Sequence, residues 1–263
     1  MLYQAKTLHG YKLNSLEGEI GKVKEFYFDD HYWTIRYLVA DTGNWLTNRQ
    51  VLISPRTLGI VNNDAQNIAV NLTKKQIENS PSLKSDEPVS RQFEESYYKY
   101  FAVPTYWETP TMLGMYDSSI GSRPNNEPNR ERLSKSTRGS KTFDPHLRST
   151  HDVSGHHIQA KDGEIGHVED FIIDDQTWMI RYLIVDTPNW WAGKKVLISP
   201  RWIKRVSWED SKVFVNLSKA AIKQSPDYIE GSPLNREYEA ALHQHYDFKG
   251  YWVDEPAAQK NSS

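Results

Sequence analysis

The sequence predicts a mainly β protein with helical extensions (α+β), built from two small modules in tandem. Three observations carry that prediction. The chain is one module written twice: residues 18–56 align without a gap on residues 163–201, with 23 of 39 positions identical. Each copy holds short β-branched and aromatic runs separated by turn pairs, the pattern of a small barrel or sandwich. Each copy then closes on residues spaced for helix.

The elements follow in order. "EIGKVKEFYFDD" and "EIGHVEDFIIDD" read as strands opened by the turn pairs Glu17-Gly18 and Asp162-Gly163. Val23 and Phe26 have opposite parity, as do Val168 and Phe171, so both can point inward only if a β-bulge skips a residue. Asp29-Asp30 and Asp174-Asp175 then turn the chain into "IRYLVADT" and "IRYLIVDT", making a hairpin. "QVLISP" and "KVLISP" are short strands stopped by Pro55 and Pro200. "LGIVNNDAQNIAVNL" and "IKRVSWEDSKVFVNL" form a second hairpin. "TKKQIEN" and "SKAAIKQ" begin with a capping Thr or Ser. In the final helices Val89, Phe93, Tyr97 and Leu234, Tyr238, Leu242 lie four apart on one face, with Pro88 and Pro233 suited to the first turn.

The repeat register runs on to Tyr106-Trp107 and Tyr251-Trp252. The expected organisation is a first module at 1–107, a linker at 108–152, a second module at 153–252 and a disordered tail at 253–263. The linker is rich in Ser, Pro, Asn, Gly and Arg and poor in apolar residues, so it is expected to be disordered. Its stretch from 123 to 148 holds seven Lys/Arg against three acids. About 45 such residues span roughly 35–40 Å, which lets the two modules sit side by side or apart.

Composition narrows the chemistry. A net charge of −2 is not the balance of a dedicated nucleic-acid binder, although it leaves room for a local basic patch. The absence of cysteine rules out disulfides, Cys-ligated zinc, iron–sulfur clusters and thiol nucleophiles. The N-terminus lacks the layout of a signal peptide and no apolar run reaches membrane-spanning length, so the expected location is cytoplasmic, free or peripheral to the inner membrane.

Gly-Glu-Ile-Gly-x-Val, the Asp-Asp turn, the strand ending in Asp-Thr, and Arg/Lys-x-Val-Leu-Ile-Ser-Pro together resemble the PRC-barrel family, over 18–72 and again over 163–217. That family is named for the cytoplasmic barrel of the photosynthetic reaction-centre H subunit, and the same barrel ends a ribosome-maturation factor. The resemblance implies two six-stranded barrels, each followed by C-terminal helices, acting as adaptors for protein complexes rather than as enzymes. This chain shows neither the membrane helix of the H subunit nor the domain that precedes the barrel in the maturation factor.

The candidates for chemistry are few. "DTGNW" at Asp41 and "DTPNW" at Asp186 invite an acid-protease dyad, which needs two such carboxylates facing each other. Pro188 replaces the glycine of the second copy, and the simpler reading is a strand end whose Asp and Thr bond the following turn. The Asp pairs read as hairpin turns rather than cation ligands. His243 and His245 do not share a helix face. Ser54 and Ser199 lack a nucleophile elbow. No catalytic residue, metal ligand or cofactor is therefore assigned. The loops after Asp-Thr place Trp45, Trp190 and Trp191 beside Arg49, Lys194 and Lys195, an aromatic and cationic set that forms either a partner hot spot or a lid on the core. The expected function is a non-enzymatic assembly module for a protein or ribonucleoprotein complex. The alternatives are a peripheral role in a photosynthetic or other membrane complex, and an acid protease using Asp41 and Asp186. RNA or an anionic membrane surface is a further expected partner of the basic linker, and the two repeats are expected to be able to pack as an intramolecular pair.

Overall fold

The computed structural model describes residues 1–46, 49–81, 89, 91–102, 146–187 and 194–254. It forms two compact units, Met1–Glu87 with Pro145–Asp247, and Pro88–Asp144 with Phe248–Ser263. In chain order the first unit begins β1 (Leu2–Gln4), α1 (Ala5–Leu8), β2 (Lys12–Ser15), β3 (Gly18–Asp29), β4 (Thr34–Asp41), β5 (Gln50–Ile53), β6 (Leu58–Asn62), β7 (Asn67–Val70) and α2 (Lys74–Glu78). The described part of the second unit is α3 (Arg91–Phe101) and a 3-10 turn at Tyr251–Val253, where the Tyr251 and Trp252 ring centroids lie 5.1 Å apart. The first unit resumes with β8 (Leu147–Ser149), α4 (Thr150–Val153), β9 (His157–Ala160), β10 (Gly163–Asp174), β11 (Ile180–Thr187), β12 (Lys194–Ile198), β13 (Ile203–Ser207), β14 (Lys212–Val215), α5 (Lys219–Lys223) and α6 (Arg236–His245).

The chain is mainly β, with two mixed seven-stranded sheets and a few helices. One sheet runs β5-β4-β3-β2-β7-β6, the other β12-β11-β10-β9-β14-β13, and each takes one more strand from outside its path. The expected bulges are present: the β3–β4 register slips between Val23 and Glu25, and the β10–β11 register between Val168 and Asp170. Val23 and Phe26 are thereby both buried, as are Val168 and Phe171.

The expected closed barrels are not found. Among the described residues no ladder joins β5 to β6 or β12 to β13. Between those strands the chain turns at the Ser-Pro that ends β5 and β12. Ser54 and Ser199 cap 3-10 turns at Pro55–Thr57 and Pro200–Trp202, and the next strand starts at once. Three residues of 3-10 turn make a corner rather than a hairpin.

The extra strands connect the two repeats. β2 covers β3 only over Gly18–Lys22, which leaves the same edge of Tyr27–Asp29 without a partner from its own repeat. An open edge of unpaired N–H and C=O groups is a template for another strand. β8 fills it, pairing Ser149 with Tyr27 and Leu147 with Asp29. In return β1 pairs Gln4 with Ile172 and Leu2 with Asp174 of β10. Each repeat thus lends its first strand to the other. Residues 147–152, expected as the end of the linker, are strand and helix for this reason.

The hairpin tips reinforce the exchange. Ile35 N–H donates to the Trp178 carbonyl and Ile180 N–H to the Trp33 carbonyl, both at 2.8 Å. Both tryptophans sit at positive φ, +54° and +56°, a backbone conformation that bulky residues rarely adopt. Phe28 stacks on Trp33 with centroids 5.2 Å apart and meets Phe171 of the other repeat at 5.8 Å. The core of this unit is therefore shared by both repeats.

Helix ends match their caps. Thr73 and Gln76 form a capping box on α2, and Ser218 accepts from Ala221 N–H on α5. Pro233 does not sit in the first turn of α6, as expected from sequence. Asn235 takes the cap position by accepting from Tyr238 N–H at 2.8 Å, and leaves the proline two residues outside. Pro88 lies outside the described residues.

Candidate partner-binding surface

The loop after β4 is built from its glycine, aspartate and threonine. Gly21 passes so close to β4 that a Cβ would lie 2.1 Å from the Asp41 carbonyl oxygen, and at Gly166 the distance to Asp186 O is 1.9 Å. Only glycine fits, which explains the second Gly of Gly-Glu-Ile-Gly in both copies. Asp41 Oδ1 accepts from Gly43 N–H at 2.9 Å and starts the 3-10 turn Gly43–Leu46. Thr42 Oγ1 donates to the Arg49 carbonyl at 2.6 Å, and Thr187 does the same to Lys194 at 2.6 Å. The Thr of Asp-Thr therefore closes a loop.

This geometry places Asp41 and Asp186 at the ends of β4 and β11, in separate sheets, with no hydrogen bond between them. Asp41 pairs with Lys22 and Gln50, Asp186 with His167 and Lys195. The structure does not bring them together as a dyad.

The cations of the expected hot spot are held within the fold. Arg49 donates to the carbonyls of Glu78, at 2.7 Å, and Ser80, at the end of α2. Burial lowers its pKa from the ordinary guanidinium value. Lys194 takes the same role at the end of α5, donating to Lys223 O at 3.0 Å and Ser225 O at 2.6 Å. Lys195 bonds Glu169 at 2.8 Å and Glu230 at 2.6 Å. Burial works against its charge, but the two carboxylates win and hold its pKa above the usual lysine range.

Trp45 is different. It stands on the 3-10 turn with 36% of its surface exposed, and the Lys74 ammonium lies 5.7 Å from its ring centroid. It is neither buried as a lid nor bonded into the core. Trp190 and Trp191 lie outside the described residues.

Two constellations escaped the sequence reading. The first is the anchoring of the exchanged arms. Asp170 accepts Lys6 N–H on both oxygens at 3.2 Å, and the equivalent Glu25 bonds Ser149. Burial pushes Asp170 up to about 6, against the lowering effect of hydrogen bonds from Phe171 and Lys6. Asp30 holds Arg148 at 3.1 Å and His146 at 2.9 Å. The second is a buried trio under α6, where Tyr182 Oη donates to Glu239 at 2.9 Å and lies 3.0 Å from His243 Nε2. His243 also meets Trp202, while His245 reaches Ala221 O at 2.7 Å on another side of the helix. The Asp-Asp turns prove to be hairpin locks. Asp29 accepts from His31 and Tyr32 N–H and pairs with Arg36, and Asp174 pairs with Arg181 at 2.7 Å. Burial would raise the Asp174 pKa, but Arg181 and the turn hydrogen bonds hold it below the ordinary value.

Residues 148–222 match the family model of the PRC-barrel domain. Over that span the chain is similar to the PRC-barrel domain family. The matched span begins at Arg148, inside β8, so it takes in most of the exchanged arm, which pairs with the other repeat. No curated protein matches the chain. Among the described residues no helix is long and apolar enough to cross a membrane, and no group of three His, Cys, Asp or Glu is arranged to hold a metal ion.

Proposed function

We propose that the chain is a non-enzymatic assembly module made of two PRC-type modules in tandem, the first related to the matched span by the 145-residue repeat. PRC-barrel domains suggest protein-interaction modules, and this is the function the geometry supports best. The observation that carries it is Trp45: a large ring on a 3-10 turn, partly exposed, with a lysine against it, in a loop that Asp41 and Thr42 bond into shape. Such amphipathic aromatics are what partner hot spots are made of. The same Asp-Thr-x-Asn-Trp sequence recurs in the second module, with Trp190 and Trp191 ahead of Lys194 and Lys195.

Affinity capture from the source cell, with wild type and Trp45→Ala as baits, tests this. The expected result is a defined set of partners held by wild type and reduced at least fivefold by the variant. Identical partners on both baits would remove this loop as the surface. Digestion of a denatured protein substrate at pH 3–5, lost in Asp41→Asn and in Asp186→Asn, would replace the assembly reading with an acid protease.

A further inference from the structure

The two modules keep apolar inward residues on one half of their sheets and differ at five positions on or beside the outward face. Inward, Leu13, Val61, Ile68 and Val70 of the first module correspond to Ile158, Val206, Val213 and Val215 of the second. Outward, Leu16, Gly59, Ile60, Asn67 and Ala69 become Lys161, Lys204, Arg205, Lys212 and Phe214. Five neutral positions have become four cations and one aromatic ring, all on or beside the β9-β14-β13 face.

The pairing arranges these residues in rows. Arg205, Phe214 and Gln159 form one row across three strands, and Ser207, Lys212 and His157 the next. Lys204 sits in the bulge between Ile203 and Arg205, and Lys161 follows β9; both are exposed, as is Arg205. Among the described residues none of these four cations has a salt-bridge partner; nearby, Glu164 is engaged with His157 at 2.9 Å and Asp210 with Ser207 at 2.7 Å. The first module's one cation on this face, Lys12, is by contrast paired with Glu19 at 3.0 Å. The Arg205 guanidinium carbon lies 3.5 Å from the Phe214 ring centroid, so the planar group lies against the ring.

We propose that this outward face of the second module binds single-stranded nucleic acid. Cations on neighbouring strands and alternate residues stand roughly 5–10 Å apart, which suits successive contacts to one extended phosphate backbone. A guanidinium backed by an aromatic ring is a platform on which a base stacks, and such stacking tolerates any sequence. An acidic peptide or an anionic bilayer would use the charges but has no use for the platform. The proposal concerns a surface other than the Trp45 turn and does not depend on it.

Binding of the full chain to a fluorescein-labelled 12-nucleotide RNA, followed by anisotropy, tests the proposal. Four phosphate contacts on a single strand give a log–log salt slope of about −3. Lys204→Glu with Arg205→Glu is expected to weaken binding at least tenfold. Phe214→Leu is expected to weaken it several-fold with the slope unchanged, each variant first shown by thermal melting to be folded. Neutralising Lys135, Arg138 and Lys141 of the linker, or Ile60→Glu in the first module, is expected to change affinity less than twofold. The proposal is overturned if the Lys204/Arg205 variant binds like wild type, if the linker variant abolishes binding, or if Phe214→Leu has no effect. It is equally overturned if poly-glutamate or phosphatidylserine vesicles compete as well as unlabelled RNA.

Discussion

The first and second modules are alike in their hairpins and turns and unlike on the outward face of β6 and β7 against β13 and β14. Gly21 and Gly166, Thr42 and Thr187, Trp33 and Trp178, and the Asp–Arg pairs Asp29–Arg36 and Asp174–Arg181 occupy matching places and make matching bonds. Ile60 and Arg205 also occupy matching places, yet one is 81% exposed apolar surface and the other a cation stacked on Phe214. Close backbone approach and turn hydrogen bonds constrain the first set, and the Trp33 and Trp178 carbonyls also serve the other module. Nothing comparable constrains the outward face, so the two copies could diverge there and take different tasks. Paired substitutions at matching positions put this division to the test.

The largest effect is expected at the paired glycines. Gly21→Ala and Gly166→Ala put a Cβ within about 2 Å of a backbone carbonyl that cannot move without displacing β4 or β11. Each should destabilise the chain by more than about 4 kcal/mol, the range reserved for strain and backbone clashes. Denaturant titration of the two variants checks this. A mild effect at either site would mean the two close approaches are not equivalent.

How much of this was legible in the sequence follows from the same residues. The repeat, the bulges at Val23–Glu25 and Val168–Asp170 and the caps at Thr73 and Ser218 could be read directly, because each depends on residues close in sequence. The exchanged arms could not. Between positions 2–17 and 147–162 only Leu2/Leu147 and Gly10/Gly155 are identical, so the repeat fades where the arms begin. A strand of three residues also has no periodicity to read, and its partner lies some 170 residues away. The roles of Arg49 and Lys194 were likewise hidden. A cation after a tryptophan looks the same in sequence whether it meets a partner or caps the helix that folds back against it. The Tyr182–Glu239–His243 trio joins residues 57 and 61 apart, and no local pattern announces it.

Trp33→Ala and Trp178→Ala come next. Each removes a buried ring from the shared core and leaves a residue at positive φ whose carbonyl serves the other module. Large-to-small changes of this kind cost about 3–5 kcal/mol. If the modules share one core, either variant lowers a single transition for the whole first unit, seen alike by near-UV and far-UV circular dichroism. Two separate transitions, with only the mutated module shifted, would show instead that the modules fold independently and that the exchange is incidental.

The smallest effect is expected at Asp170 and depends on pH. Its carboxyl is pushed up to about 6 by burial, while an unfolded aspartate titrates near 3.8. A carboxylate raised on folding binds its proton more tightly in the native state. The chain therefore gains stability as pH falls from above 6 towards 3.8, and the penalty is fully present above pH 6. That difference in proton affinity corresponds to roughly 2 kcal/mol between pH 7.5 and pH 4.5. Asp170→Asn keeps an oxygen for Lys6 N–H and removes the charge. It should stabilise the protein at pH 7.5 by up to about that amount and flatten the dependence in this window. The matching Glu25→Gln is the contrast, since Glu25 meets a serine hydroxyl in place of the Lys6 backbone. If both variants show the same pH profile as wild type, the two arms are docked by packing alone. If only Asp170→Asn changes it, the first arm is held more loosely at neutral pH than in mild acid. The second arm, clamped by Arg148 on Asp30, is then the one that keeps the exchange closed.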